Sequence, residues 1–333
     1  MIKAVGLLSG GLDSTLAAKV LLEQGIDVSA INFTSPFCLC TPKNAGCAAV
    51  VTAVQALGQI DLKHVALGEE YLRIVQNPQH GYGSGLNPCI DCRIMKIRKA
   101  GEYMREIGAA FLFTGEVLGQ RPMSQHRQAL QTIDRESGLA GLIVRPLSAR
   151  LLPPSIPEQK GWVDREKLLT FSGRTRKPQI ALAERYEISD YPCTAGGCLL
   201  TVDGFVRRMR DLMTHAEVTL HDVALLKVGR HFRLHPQAKL IVGRDQTENE
   251  RLLQLTQRGD WYFEPLDVKG PVAIGRGAFT GETLRQSVRL IARYCDIAVD
   301  EQVKIGYHRA SETTQQVIAV TALPDNEIQT FRI

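Results

Sequence analysis

The chain has 333 residues, 44% of them apolar, with a formal net charge of +5. That length suits about two domains, the apolar share can fill a real core and argues against bulk disorder, and no apolar run approaches the ~20 residues a membrane helix needs. The sequence opens in a strand-like run with no signal peptide, so a cytoplasmic protein with no membrane partner is expected. Its 8 cysteines are then expected to be reduced, metal-bound or catalytic rather than disulfide-bonded.

Ile2 to Leu8 reads as a short buried strand, Ser9-Gly10-Gly11 as a turn, and Leu12 to Glu23 as a helix with Leu12, Leu16 and Val20 on one face. Gly25 stands where a helix C-terminus wants it. A strand, a Gly-rich turn and a helix N-terminus make an anion site, because free N–H groups and the positive end of the helix dipole meet at the turn. The ordinary nucleotide loop is G-x-x-x-x-G-K-[ST]. Gly6 and Gly11 keep its first spacing, but Leu12 occupies the place of its lysine. Residues 25–33 read as a second strand whose end would bring Asn32 and Phe33 to a nucleoside. Cys38 and Cys40 follow in a loop, and Cys47 opens an Ala/Val-rich helix over 45–57. Cys47 alone would be core packing; with Cys38 and Cys40 it could make a small metal or persulfide site, although three thiols lack the fourth ligand of a closed tetrahedral one. Leu62 to Leu67 is a third strand, and 71–88 show little periodicity.

Cys89-Ile90-Asp91-Cys92 is followed by a basic amphipathic helix, Arg93 to Ile107. Two thiols at a helix start lie within reach of one metal, and the dipole favours their thiolates. A thioredoxin-like motif, a zinc knuckle and an iron–sulfur or sulfur-carrying site completed from elsewhere all remain open. A fourth strand, Ala110 to Thr114, ends in Thr114-Gly115-Glu116-Val117-Leu118-Gly119-Gln120, with Ser124-Gln125 beyond. A carboxylate such as Glu116 could equally cap a helix. Residues 145–157 form a Pro-rich bridge, 164–169 a short helix, and Arg174, Arg176 and Lys177 a basic turn before a helix over 179–186. Residues 93–185 hold 17 Lys and Arg against 9 Asp and Glu, so the whole basic excess sits in the middle third. That is a footprint for a phosphate backbone or a solvated surface.

Ser9-Gly10-Gly11-Leu12-Asp13-Ser14 resembles the pyrophosphate loop of the ATP-pyrophosphatase (PP-loop) superfamily. Thr114-Gly115-Glu116-x-Leu118-Gly119-Gln120 resembles the 4-thiouridine synthetases, and Asn87-Pro88-Cys89-x-x-Cys92 both these and the tRNA 2-thiouridylases. The resemblance implies an α/β fold with a doubly wound, mostly parallel sheet of the adenine nucleotide α-hydrolase type, over 1–200. It implies ATP cleaved to AMP and pyrophosphate, with Ser9, Gly10, Gly11, Asp13 and Ser14 cradling the pyrophosphate and Asp13 near Mg2+. Gly115, Glu116 and Gln120 are then candidates for the ATP pocket. A later cysteine completes the sulfur site in these relatives. Cys198, behind Gly196 and Gly197, fits that place better than Cys193, which reads as a spectator. Cys295, in a helical run over 284–294, reads as core.

Beyond residue 200 the character changes. A helical linker over 201–236 carries Arg207 and Arg208 in a basic helix, and 237–333 reads as a smaller C-terminal α+β domain with strands at 239–244, 303–307 and 316–321. Lys239 to Asn249 resembles an NFACT-type RNA-binding domain. The expected activity is that of an ATP-dependent tRNA sulfurtransferase. It would adenylate a uridine oxygen and replace it with sulfur, with a [4Fe-4S] cluster on Cys89, Cys92 and Cys198 preferred to a persulfide. Its partners would be tRNA, bound through Arg174, Arg176, Lys177, Arg207 and Arg208, and sulfide or a cysteine-desulfurase-derived donor; a homodimer is compatible. Two alternatives stay open: a PP-loop enzyme adenylating a small molecule, and a non-catalytic, zinc-stabilised nucleotide- and RNA-binding protein.

Overall fold

Successive side chains of a buried parallel strand face opposite sides of the sheet, so a strand apolar throughout must be covered twice. The computed structural model describes residues 1–39, 46–58, 60–189, 191, 197–298 and 300–333, apart from the side chains of 46–48. The chain divides into two compact units, Met1–Val202 and Asp203–Ile333. In the first, β1 (Lys3–Leu7), β2 (Asp27–Thr34), β3 (Leu62–Ala66), β4 (Phe111–Thr114) and β5 (Ile143–Val144) form one parallel sheet ordered β3-β2-β1-β4-β5. The helices are α1 (Leu12–Leu22), α2 (Gly46–Ala56), α3 (Glu69–Gln76), α4 (Cys89–Glu106), α5 (Arg127–Glu136), a short α6 (Ile156–Gln159) and α7 (Lys177–Arg185). Ala4, Phe111 and Phe113 pack with Leu12, Leu16 and Leu21 of α1. Val5, Leu7 and Leu112 pack with Ile94, Ile97 and Ala100 of α4. Burying a Leu side chain of α1 contributes about 1.5–3 kcal/mol.

The strand order reverses direction between β1 and β4, and such a switch point opens a crevice beyond the strands' carboxyl ends. The register pairs Leu7 with both Ile31 and Thr114, so β1 and β4 end level, while β2 runs on to Thr34. The sequence places β1 to β4, α1 and α7 within a few residues. It misses α3, whose buried Tyr71, Leu72 and Val75 lie within eight residues, too short a window for a helical period to emerge. It also starts α4 late: the helix begins at Cys89, so the thiol pair lies inside its first turn.

The second unit contains α8 (Asp203–His215), α9 (Leu220–Leu225), β6 (Arg230–His235), β7 (Ala238–Val242), α10 (Gln246–Gln254), β8 (Trp261–Pro265), β9 (Ala273–Gly277), α11 (Gly281–Ala292), β10 (Val303–Arg309), β11 (Gln316–Val320) and α12 (Asp325–Phe331). Its sheet is antiparallel, ordered β11-β10-β8-β9-β7-β6. One face packs Phe232, Phe263 and Ile305 against Val288 and Ile291 of α11; the other packs Ile241 and Ile274 against Leu252 of α10. The expected linker over 201–236 is mostly part of this unit. Phe205, Val206 and Met209 of α8 are buried, and Asp211 accepts from Arg233 at 2.7 Å and Lys239 at 3.1 Å, which ties α8 to β6 and β7. Among the described residues, no helix is long and apolar enough to cross a membrane.

A buried ion network fixes the end of β4. Glu116, 1% exposed, faces Arg145 Nε at 3.0 Å and Arg93 Nε at 3.3 Å, and accepts from Thr114 Oγ1 at 3.0 Å. Arg145 also donates to both Asp134 oxygens, at 2.8 and 2.6 Å. Four elements therefore share one cluster: β4, α4, α5 and the segment after β5. Burial alone would raise the Glu116 pKa, but Arg93 and Arg145 outweigh it and hold the carboxyl below its ordinary value. A depressed carboxyl stabilises the fold fully above its unfolded pKa, and that contribution is lost as pH falls through the folded pKa. Glu116→Gln removes the charge that faces the buried Arg145 and the partly exposed Arg93 and should lower the unfolding free energy by about 3–5 kcal/mol at pH 7. Urea titrations at pH 7 and pH 4 check this: the gap between variant and parent should narrow in acid, and an equal gap at both would show that the charge is not the cause.

Candidate active site

The loop after β1 is built for close backbone approach. Gly10 has φ +76°, the left-handed region, and a Cβ there would lie 2.7 Å from the backbone of Ala49 and Val50 in α2. Ser14 Oγ donates to Gly11 O at 2.8 Å and accepts from Ser9 N at 3.2 Å, which closes the turn on itself. The first-turn N–H groups of an α-helix lack an i−4 acceptor; in α1 Ser14 N turns back to Gly11 O at 3.1 Å, and Leu12 and Asp13 stand beside it at the turn. Gly115, just beyond β4, completes the cradle: a Cβ on it would lie 2.5 Å from the Asp13 carbonyl carbon and the Ser14 nitrogen.

Around the loop opens a pocket of about 680 Å³, mouth included. Ser9, Gly11, Asp13, Ser14, Asn32, Phe33 and Gly115 line it, together with Gln125 and four cations, Arg93, Lys96, Arg121 and Arg176. Asp13 Oδ1 and Gln125 Oε1 are buried without a hydrogen bond. Burial raises the Asp13 pKa, while Gln120, Arg176, Arg121 and Gln179 pull the other way. An unfilled, buried carboxylate oxygen beside an anion loop fits a hard, oxygen-seeking cation held with a phosphate. One carboxylate among four cations otherwise makes the pocket an attractor for anions.

Two expected pocket residues are occupied with structural work. Asn32 Nδ2 donates to Leu8 O at 2.8 Å and its Oδ1 pairs with His64 Nδ1 at 3.3 Å, so Phe33 supplies the free wall at that strand end. Glu116 belongs to the ion network and is absent from the pocket lining. Gln120 does stand beside Asp13. Of the basic turn, Arg176 lines the nucleotide pocket, whereas Arg174 and Lys177 are exposed. Arg207 is exposed and Arg208 half-buried on α8, with Arg244 near by. Sequence reasoning missed Arg93, Lys96 and Arg121, having assigned the basic excess to RNA. The signal was present: Cys89, Cys92, Arg93 and Lys96 follow an i, i+3, i+4, i+7 pattern and share one face of α4.

The thiols gather next to this pocket. Asn87 Nδ2 donates to Cys89 Sγ at 3.1 Å. Cys198 pairs with Cys38 in an isolated antiparallel bridge. Burial, reinforced by Cys92, Cys89 and Cys38, pushes the Cys198 thiol up to about 11 against the pull of the Leu200 N–H. Tyr71 packs edge-on to Phe37 at 5.8 Å, and its phenol is pushed up by burial and then by Cys92 and Cys198. Four thiols therefore sense one another. Yet among the described residues no three His, Cys, Asp or Glu side chains converge closely enough for one metal ion. A multi-iron cluster bound by thiolates spans a wider gap between its ligands than a single ion does. Arg121 lines the pocket with Asp13: burial and then Arg93 lower its pKa, and Cys89, Asp13 and Glu116 raise it. Cys295 is partly buried in the second unit. Cys40, Cys193 and the Cys47 side chain lie outside the described residues.

A lysine-free phosphate loop at the switch point of a parallel sheet, with paired thiols at the adjoining helix start, defines a PP-loop domain of the ATP-pyrophosphatase superfamily. More particularly, residues 2–150 match the family described as thiamine biosynthesis protein (ThiI), and residues 229–332 match the NFACT protein RNA binding domain. The chain thus joins a PP-loop domain of the kind found in tRNA thiolation enzymes to an NFACT-type module. It is 30% identical over 138 residues to the tRNA-specific 2-thiouridylase MnmA of Nitrobacter hamburgensis, covering 38% of this chain and 34% of that one. It is 26% identical over 200 residues to a protein of Lysinibacillus sphaericus named "Probable tRNA sulfurtransferase", covering 57% and 48%. The chain therefore spans about a third to a half of the length of these relatives. Among solved structures it is similar to a 4-thiouridine synthetase–RNA complex with bound ATP (24% identity, TM-score 0.39, 59% and 44% covered). Another is the U34-tRNA thiolase NcsA from Methanococcus maripaludis with its [4Fe-4S] cluster (20% identity, TM-score 0.35, 65% and 74% covered).

Gly115→Ala should drive a methyl into the Asp13–Ser14 backbone and weaken ATP binding at least tenfold, about 1.4 kcal/mol. Calorimetric titration with ATP checks it, and unaltered affinity would mean that the loop tolerates displacement.

Proposed function

We propose that the protein is an ATP-dependent tRNA sulfurtransferase that activates a uridine carbonyl oxygen as its adenylate and replaces it with sulfur. The observation that carries this reading is α4, whose first turn holds Cys89 and Cys92 and whose next residues, Arg93 and Lys96, line the pocket of the pyrophosphate-loop carboxylate Asp13. Nucleotide activation and sulfur delivery act on the same carbon, so the two centres must lie side by side. The carbonyl oxygen attacks the α-phosphorus of ATP and pyrophosphate leaves. Ser9 to Ser14 and the first turn of α1 hold the departing pyrophosphate. Arg93, Lys96, Arg121 and Arg176 offset the charge that builds on the phosphates, and no proton transfer is needed for that stabilisation. Asp13 would hold Mg2+, which when bound would offset charge on the phosphates. A sulfur nucleophile then adds at the activated carbon, and AMP departs with the original oxygen. Cys89, Cys92 and Cys198 would hold a [4Fe-4S] cluster, which when bound would supply an iron with an open position for sulfide. The 229–332 module and the exposed Arg174 and Lys177 would grip the tRNA backbone, in the cytoplasm where tRNA is processed.

The test is anaerobic purification followed by iron, sulfide and pyrophosphate assays, with mass spectrometry of tRNA nucleosides incubated with ATP and sulfide. Thiouridine formation with stoichiometric AMP is expected. Pyrophosphate release that ignores tRNA and yields no thiolated nucleoside would instead indicate a small-molecule substrate. Asp13→Ala should reduce pyrophosphate release by at least a hundredfold, since it removes the only carboxylate lining the pocket among the described residues, while leaving tRNA affinity unchanged. A variant cleaving ATP at the parental rate would remove Asp13 from the chemistry. Replacing Arg174 and Lys177 together by Ser should lower the slope of log affinity against log salt by about one per lost phosphate contact. A filter-binding salt series measures it, and an unchanged slope returns both residues to solvated surface.

A further inference from the structure

We propose that Cys38 and Cys198 form a reversible disulfide that withdraws Cys198 from the sulfur site. The pairing is written in the backbone. Leu199 N donates to Phe37 O at 2.8 Å and Leu39 N to Gly197 O at 3.3 Å, so Cys38 and Cys198 are the directly opposed, non-hydrogen-bonded pair of an antiparallel bridge. In such a pair the Cα atoms stand about 4.5 Å apart and both side chains leave the same face. A disulfide spans Cα separations of about 4.4–6.8 Å, so no backbone movement is needed to close one. Both segments are anchored. Phe37 is fully buried against Tyr71, and Leu200 O accepts from Leu86 N at 2.9 Å. Both thiols are free and partly buried. The Cys38 sulfur now accepts from Ser35 N at 3.3 Å, and rotation about its Cα–Cβ bond releases it toward Cys198.

The chemistry needs a small-molecule disulfide, RSSR. The Cys38 thiolate attacks one sulfur of RSSR, forms a mixed disulfide and expels RS⁻. The Cys198 thiolate then attacks the Cys38 sulfur and expels the second RS⁻. The two protein thiolates lose two electrons, RSSR gains them, and a dithiol reverses the exchange. Cys38 was set aside in the sulfur site proposed above, yet it is the thiol placed in register with Cys198. The consequence for sulfur transfer rests on that proposed function; the disulfide does not.

The full-length, metal-free protein is incubated with oxidised glutathione, its remaining thiols are alkylated, and its peptides are mapped by mass spectrometry. A Cys38–Cys198 cross-linked peptide with Cys89 and Cys92 alkylated is expected, and dithiothreitol should abolish it. A Cys89–Cys92 disulfide, a link to Cys40, Cys47 or Cys193, or glutathione adducts alone would overturn the proposal. Anaerobic reconstitution with iron and sulfide gives the second readout. The oxidised parent should take up no more than about a tenth of the iron of the reduced parent, because one of three thiolate ligands is gone. Cys38→Ser should load fully before and after oxidation. If reduced Cys38→Ser fails to load, Cys38 is a cluster ligand and the switch is wrong; if oxidised Cys38→Ser fails to load, another pair closes first and the switch is equally wrong. Should the reduced parent take up no iron, the cluster falls while the peptide map still decides the disulfide. Should the reduced, loaded parent leave tRNA unthiolated, the proposed function falls and the cross-link stands.

Discussion

The whole site depends on one steric contact, the Gly115 backbone lying against the Asp13–Ser14 peptide. β1 and β4 are neighbours only because the sheet reverses its order there. Their level ends bring the phosphate turn and the Thr114-Gly115 turn to the same edge. A side chain at Gly115 would hold the two turns apart, and the pocket between them would lose its floor. The Glu116 network supports the contact from beneath. It ties the residue after Gly115 to Arg93, a pocket cation, and to Arg145. Fold stability and pocket geometry therefore share the same buried carboxylate.

Cation placement follows from helix geometry. α4 puts Cys89 and Cys92 in its first turn, at the positive end of the helix dipole, and Arg93 and Lys96 immediately beyond. The helix thus offers a negative-charge-tolerant end to the sulfur site and a positive flank to the phosphates. Arg121, from the loop after β4, adds to that flank in the same pocket.

Local signals were legible in the sequence and long-range ones were not. The Ser9-to-Ser14 loop could be read because strand, turn and helix start are contiguous. The thiol pair was legible for the same reason. Arg176 was read as an RNA ligand because a charge count cannot say which way a turn folds, and here it turns inward beside Asp13. Glu116 sits in the expected motif but faces two arginines, one of them 29 residues away along the chain. In the second unit β6 and β9 escaped because Arg230, Arg233 and Arg276 interrupt their apolar alternation. Each of these arginines has a specific acceptor: Gly243 O, Asp211, and Asp222 with Asp260. The register of Cys38 against Cys198 joins segments far apart in sequence, and no periodicity encodes such a pairing.

One helix carrying both chemistries has a consequence for how this protein can vary. Each residue advances an α-helix by about 100° and 1.5 Å. A single insertion between Cys92 and Arg93 would swing every later cation of α4 about a quarter-turn away from the thiols, and neither site could recover without breaking the other. The two centres are phase-locked. The length of chain from Cys89 to Lys96 is therefore a fixed quantity of the design, while the loops ahead of Asn87 are free to lengthen or shorten. Insertions and deletions will record that lock as an ungapped octet, even where the residue identities within it drift.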